Sequence, residues 1–325
     1  MQLDRTEIVI RQRTALELLD LSLLVLRRHW KPLLLANAVL GLPLILLDLF
    51  LISWMQSERS FLVAEHLDNP ESVMRLRHNY HVVLLFVAQF QILSLPAAIF
   101  IGNRIFFQDV SFGELLKKLR PIALRCLWVL GIARLALIIT AAEFLVDHEV
   151  AFDFLVEFML LGGLVAVSLI VRGNRPFAPE ILGLELCKLA TKSKHEISYA
   201  QRSRGLHRSL AADNLARYFA AICFGVLLLA MLLGTALFCK GVSTGDWSWN
   251  TAFDRAVLPV ALWMVGVFYS VFRFLAYLDS RIRLEGWEVE LRIRAEAERI
   301  DKLQHQHVAT IAESDVSEVL AEKTT

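Results

Sequence analysis

The sequence predicts an all-α, polytopic membrane helix bundle of about six transmembrane helices with amphipathic helices on its inner face. Three observations predict it. Of 325 residues 56% are hydrophobic and 21% charged, against roughly 45–50% and about 25% in ordinary soluble domains, and mean hydropathy is +0.51. The apolar residues are gathered into long blocks with the charges between them. Basic residues alternate between rich and poor connecting segments. This balance excludes a disordered, collagen-like or disulfide-stapled chain.

A helix needs about 20 apolar residues to cross roughly 30 Å of hydrocarbon. Six blocks meet that length, at about 32–55, 81–103, 122–146, 152–171, 218–239 and 256–278. The fourth carries Asp153 and Glu157 at its start and Gly162-Gly163 in its middle. It reads either as a full crossing or as a tilted or re-entrant segment. Pro43 with Gly41, and Pro96, are expected to bend the first and second spans. The division that follows is a segment 1–31 with an interfacial helix, a membrane domain 32–278, and a charged helix and frayed tail 279–325.

Orientation is read from Lys and Arg in the connections. Residues 1–31 carry six, 108–121 three, 172–217 nine and the tail from 279 seven. The alternate segments carry three (56–80), none (147–151) and two (240–255). Both termini are therefore expected on the cytoplasmic side of a cell inner membrane. Trp247 and Trp249 mark the outer interface and Trp30 the inner one. The polar opening, MQLDRTEIVIRQRTALELLD, lacks the apolar core of a cleavable signal peptide.

The inner-face segments share a theme. TALELLDLSLLVLRRHW has apolar residues at 16, 19, 23 and 26, the spacing of one helical face, then Arg27, Arg28 and Lys31. SFGELLKKLR repeats it, with Ser111 and Glu114 spaced as a capping box. A third copy is expected to start at Phe177-Ala178-Pro179-Glu180-Ile181-Leu182. Three units, each an amphipathic segment followed by a transmembrane hairpin, would suit a transporter. The basic segment 172–217 reads as one or two helices interrupted near Gly205. It suits anionic lipid or a soluble protein partner; no helix-turn-helix or aromatic platform points to nucleic acid.

Beyond the sixth span, 271–299 reads as a helix with the i,i+4 pairs Asp279–Arg283, Glu288–Arg292 and Glu290–Arg294. Ile282, Gly286, Val289 and Ile293 line one stripe and Leu284, Trp287 and Leu291 the opposite one. EVELRIR (288–294) also alternates as a strand would. The candidate partner-docking residues are Arg281, Arg283, Glu285, Gly286, Trp287, Glu290 and Leu291.

The string R-x-x-x-Y-x-D-x-R-I-R-x-E-G-W-x-x-E-L is carried by Arg273, Tyr277, Asp279, Arg281, Ile282, Arg283, Glu285, Gly286, Trp287, Glu290 and Leu291. It resembles the ending of a group of bacterial multi-pass proteins, the membrane domain that accompanies glycerophosphodiester phosphodiesterases, here without the enzyme half. RTALELLD resembles that group's R-x-x-x-E-I-L-D start, with Leu18 in place of Ile. The resemblance implies a stand-alone membrane domain of the bacterial envelope with no established activity.

Nothing in the sequence marks an enzyme, a cofactor or a metal. His207-Arg208-Ser209 lacks the acidic partners of a phosphodiesterase site, and no P-loop, G-x-S-x-G or H-E-x-x-H occurs. Four cysteines form no C-x-x-C pair, and His305 and His307 stand alone in the tail. Charges inside spans carry more information because each is costly there. Arg134 is the deepest, and an ion pair with Glu157 or Asp48 across the bundle is expected. Arg104, Arg125 and Arg273 lie nearer the inner face and are expected to snorkel. The leading functional expectation is a non-enzymatic scaffold or assembly component that recruits a partner at its cytoplasmic face. The alternative is a transporter or permease for a small or lipid-like solute.

Overall fold

The computed structural model describes residues 11–57, 69–105, 111–146, 154–190 and 197–286. All regular structure among them is helical. Helix α1 is Ala15–Ile52, α2 Pro70–Leu93, α3 Leu95–Ile105, α4 Phe112–Leu119, α5 Ala123–Cys126 and α6 Ala136–Ala142. They are followed by α7 Phe154–Asn174, α8 Ala178–Gly183, α9 Tyr199–Arg208, α10 Ala211–Thr244 and α11 Leu258–Glu285.

Local chemistry sets the helix starts. Thr14 accepts from the Glu17 amide at 3.3 Å while Glu17 accepts from the Thr14 amide at 2.9 Å, a reciprocal capping box that opens α1. Ser111 with Glu114 opens α4 the same way, and Ser198 with Gln201 opens α9. A further short helix, α8, follows Phe177, where the third copy was expected to start, without a side-chain cap. Helix α1 kinks at His29, three residues before Pro32, whose ring nitrogen cannot donate back to the preceding turn. That kink separates the interfacial segment from the span. Pro43 is passed with helical dihedrals, and the α2–α3 break falls at Ser94, two residues before Pro96.

Five helices are long and apolar enough to cross a bilayer: 15–56, 70–104, 157–174, 211–244 and 253–285. The irregular span is the third, not the fourth. Its two pieces, 112–132 and 136–145, meet at 64°. The break follows a π-helical turn at 127–132 and contains Leu135, held at φ +65°. The fourth span is a single helix, α7. Gly162 within it gives Tyr80 room, since a Cβ there would lie 2.8 Å from the phenolic oxygen.

The two ends of the described chain meet. Asp279 accepts from the Arg13 amide at 2.7 Å and from the side chains of Arg217 at 2.5 Å and Arg283 at 2.8 Å. Arg283 also donates to the Arg13 carbonyl at 2.7 Å. Five crossings would leave these groups on opposite sides of a bilayer. The meeting calls for an even number of crossings, and there are six when the broken pair counts as one span.

Packing divides the helices by environment. Of the most apolar stretch of 253–285, 72% is buried inside the bundle, against 6% for 211–244. Span 70–104 is buried to the same 72%, so it and α11 form the centre of the bundle and α10 an outer wall. Val267, Phe268, Val271 and Phe274 pack on Leu18, Leu33, Ala97, Ile101 and Phe177. The basic segment 172–217 is partly internal. Helix α8 is buried along its whole length, and α9 runs unbroken through Gly205 because Ser203, Leu206 and His207 face inward.

Replacing Asp279 by Ala leaves two guanidiniums and an amide without their shared acceptor, and a broken buried pair costs about 3–5 kcal/mol. Its thermal unfolding midpoint in detergent is expected to fall well below that of Asp213→Ala. Asp213 meets Arg283 at 3.5 Å on the exposed side, where a pair contributes about 0–1 kcal/mol.

Candidate functional site: an arginine-ended cavity

Helices α2, α7, α10 and α11 enclose a cavity of about 250 Å³. Most of its wall is apolar: Val83, Phe86 and Phe90 from α2, Leu169 from α7, Ala221, Ile222 and Leu229 from α10, Leu262 and Tyr269 from α11. Gly225 lets the Tyr269 ring lie against the α10 backbone, where a Cβ would come within 2.5 Å of it. At the end nearer the joined termini the lining changes to Gln91, Arg172, Asn214, Arg217 and Arg273.

The broken third span explains how arginines come to stand there. A break in hydrocarbon leaves backbone carbonyls that only protein can satisfy. The Arg134 carbonyl, at the break, accepts from the Ser168 hydroxyl at 2.7 Å and from Arg172 at 3.4 Å. Arg172 continues across to the carbonyls of Val87 and Ala88. The Arg134 side chain donates to Gln91 and to the Arg175 carbonyl at 2.5 Å. Arg273 donates to Glu180 at 2.8 Å and lies over the Phe90 ring at 5.6 Å.

Four guanidiniums, those of Arg134, Arg172, Arg217 and Arg273, are thus buried with the carboxylates of Glu180 and Asp279. Several donors on residues that line the cavity have no acceptor among the described residues: Arg172 Nε, Arg273 Nη1 and Nη2, and Asn214 Nδ2. Glu180 Oε2 is likewise without a donor.

A second polar cluster occupies the opposite end. Arg77 binds Glu157 through two nitrogens, one at 2.8 Å. His81 bridges Glu143 at 2.7 Å and Glu157 at 3.3 Å. Gln89 donates to Asp48 at 2.7 Å and to Thr140 at 3.0 Å.

These partners correct the expected ion pair. Arg134 meets neither Glu157 nor Asp48. Glu157 and Arg172 share α7, roughly 22 Å apart along its axis at about 1.5 Å per residue, and Arg134 belongs to the Arg172 end. Arg77 and His81, the actual partners of Glu157, lay hidden because the second span was expected to begin at 81 and α2 begins at Pro70. Arg273 does not snorkel; it is 7% exposed and paired with Glu180. For Arg172, Arg217 and Arg273 a sequence signal existed, since each falls at the basic end of an apolar block.

The candidate docking residues that the structure describes are paired within the chain. Arg281 donates to Glu285 at 2.6 Å, Glu285 accepts from Arg202 at 2.5 Å, and Arg283 is held by Asp279. These charges clasp α11 to α9 and to the N-terminal segment and are not presented outward. Gly286 ends α11 at φ +66°. Trp287, Glu290 and Leu291 lie outside the described residues.

No protein-family model matches the chain, and no curated protein or solved structure is significantly similar to it.

Beneath the cavity, His207 stacks on Phe177 with ring centroids 5.1 Å apart. Its Nδ1 donates to the Ser203 carbonyl at 2.6 Å and its Nε2 accepts from the Phe177 amide at 3.3 Å. Both bonds use the neutral ring. Burial, with Arg134 and Arg175 nearby, pushes its pKa down to about 4 from the ordinary 6.5. The unfolded chain then binds the extra proton first, so this contribution is complete above 6.5 and is lost as pH falls toward 4. Relative to His207→Gln, the parent should lose up to about 1.4 kcal/mol per pH unit across that window, read from unfolding midpoints. A gap that stays constant with pH would refute it.

Proposed function

We propose that this multi-pass membrane protein takes a lipid-like solute into the cavity between α2, α7, α10 and α11, acting as a carrier or permease without a chemical step. The observation that carries this reading is the cavity itself, apolar along its length and cationic at one end. It opens toward lipid, since Val226 both lines it and is 62% exposed. A span broken beside the cavity adds support, because discontinuous helices commonly border the binding sites of transporters. The scaffold reading has less behind it, since the described docking side chains are engaged within the chain. An inner-membrane location with cytoplasmic termini rests on the basic residues at the joined ends and on the resemblance of those ends to bacterial membrane domains.

The cavity has room for roughly eight water-sized groups at about 30 Å³ each. That suits part of one hydrocarbon chain, not the two tails of a phospholipid. The test uses the full chain in vesicles with a photoreactive decanol. Cross-links are expected on Phe86, Leu229 and Tyr269. Ile222→Trp, which fills the cavity, should reduce them about tenfold, and Leu227→Trp, on the exposed face of α10, should leave them unchanged. Labelling confined to exposed positions such as Leu227 would sink the reading.

A further inference from the structure

Hydrocarbon tails are as apolar as leucine side chains. Moving a chain from the bilayer into an apolar cavity therefore gains little, and selectivity has to come from the polar end. That end is built from three helices. Arg172 comes from α7, Asn214 from α10 and Arg273 from α11, and they are 2%, 3% and 7% exposed. Together they hold four of the buried donor atoms that lack an acceptor among the described residues, Arg172 Nε, Asn214 Nδ2 and Arg273 Nη1 and Nη2, against one unpartnered acceptor at this end, Glu180 Oε2.

All four are donors, which selects an anion. Two Nη atoms on one guanidinium form a fork that holds two oxygens in a plane. A carboxylate would be spent on that fork. Donors arriving from two other helices call for a further oxygen out of the plane, as a tetrahedral group provides. Charge points the same way. Four guanidiniums stand with two carboxylates, and one of these, Asp279, is shared with Arg283. With Arg283 included, five guanidiniums stand against two carboxylates, an excess of positive charge that favours a phosphate monoester, at about −1.5 to −2 near neutral pH, over a singly charged carboxylate.

We propose that the arginine end of the cavity binds the phosphate monoester head of a single-chain amphiphile, with Arg172, Asn214 and Arg273 as its ligands and the chain lying along Phe86 and Tyr269. This rests on the reading of the cavity as a lipid-like site and adds its headgroup chemistry.

The test compares photoreactive decyl phosphate, decanoate and decanol on the full chain in vesicles, with inorganic phosphate as competitor. Decyl phosphate should label the wall at least tenfold more than decanol and several-fold more than decanoate. Asn214→Asp keeps the side-chain shape and puts a negative charge against the head. It should reduce decyl phosphate labelling at least tenfold more than it reduces decanol labelling. Arg273→Gln should do the same, and if the loss of the Glu180 partner prevents folding, Asn214→Asp decides alone. Equal labelling by all three probes, or phosphate labelling in Asn214→Asp diminished no more than decanol labelling, overturns the headgroup assignment and leaves the cavity reading standing. Complete displacement by inorganic phosphate at the amphiphile's own concentration overturns it in favour of free phosphate. Failure of every probe, decanol included, to reach the wall overturns the cavity reading as well.

Discussion

Hydrocarbon offers no partner to a backbone carbonyl, and the break at Leu135 exposes carbonyls in the middle of the bundle. The rest of the arginine end follows from how that need is met. Ser168 and Arg172 both reach the Arg134 carbonyl from α7, so α7 is held against the broken span. The same Arg172 guanidinium spans to Val87 and Ala88 and ties α7 to α2. One side chain therefore joins three crossings at the depth where the cavity narrows to its polar end. A leucine at 172 would pack there but could accept none of these duties.

Helix α2 connects the two polar clusters, and the register of its side chains keeps them apart. Arg77 and His81 face the carboxylates of Glu143 and Glu157, Gln89 faces Asp48 and Thr140, and Gln91 faces Arg134. Down this one helix the partners pass from carboxylates, the last of them shared with a hydroxyl, to a guanidinium. The cluster at the far end sets three carboxylates, those of Glu143, Glu157 and Asp48, against an arginine and a histidine and carries no excess of cations. The cluster near the joined termini does. The excess cation is thus a property of one end of the cavity and not of the chain, whose formal net charge is +1.

Much of the architecture was legible because bilayer thickness dictates length. Blocks such as 218–239 could be little else, and the parity implied by their basic flanks agrees with the meeting of Arg13 and Asp279. What sequence could not supply was depth after an irregularity. The π-helical turn at 127–132 and the left-handed Leu135 turn the third span by 64°, so counting along an ideal helix assigns Arg134 the wrong neighbours. Composition misled in the opposite direction at 177–183. That stretch sits within a basic segment yet is buried, because Glu180 finds Arg273 and the surrounding Phe177, Ile181 and Leu182 are apolar. Gly162-Gly163 suggested an interrupted fourth span, whereas Gly162 only accommodates Tyr80.

The contrast between Arg134 and Arg273 separates structural from functional use of a buried charge. Arg134 has both terminal nitrogens engaged, one by Gln91 and one by the Arg175 carbonyl, the pattern expected of a group that fixes helices. Arg273 spends Nε on Glu180, and both of its terminal nitrogens lack an acceptor among the described residues. A residue placed only to anchor α8 to α11 would gain from a bidentate pair, yet Glu180 is bound through one oxygen and Oε2 is left over. Low dielectric strengthens whatever polar contact is completed there and penalises what is left open. An anion entering along the apolar wall would therefore meet donors whose desolvation is already complete, which is the condition under which a charged head is held firmly while its chain remains free to exchange with the bilayer.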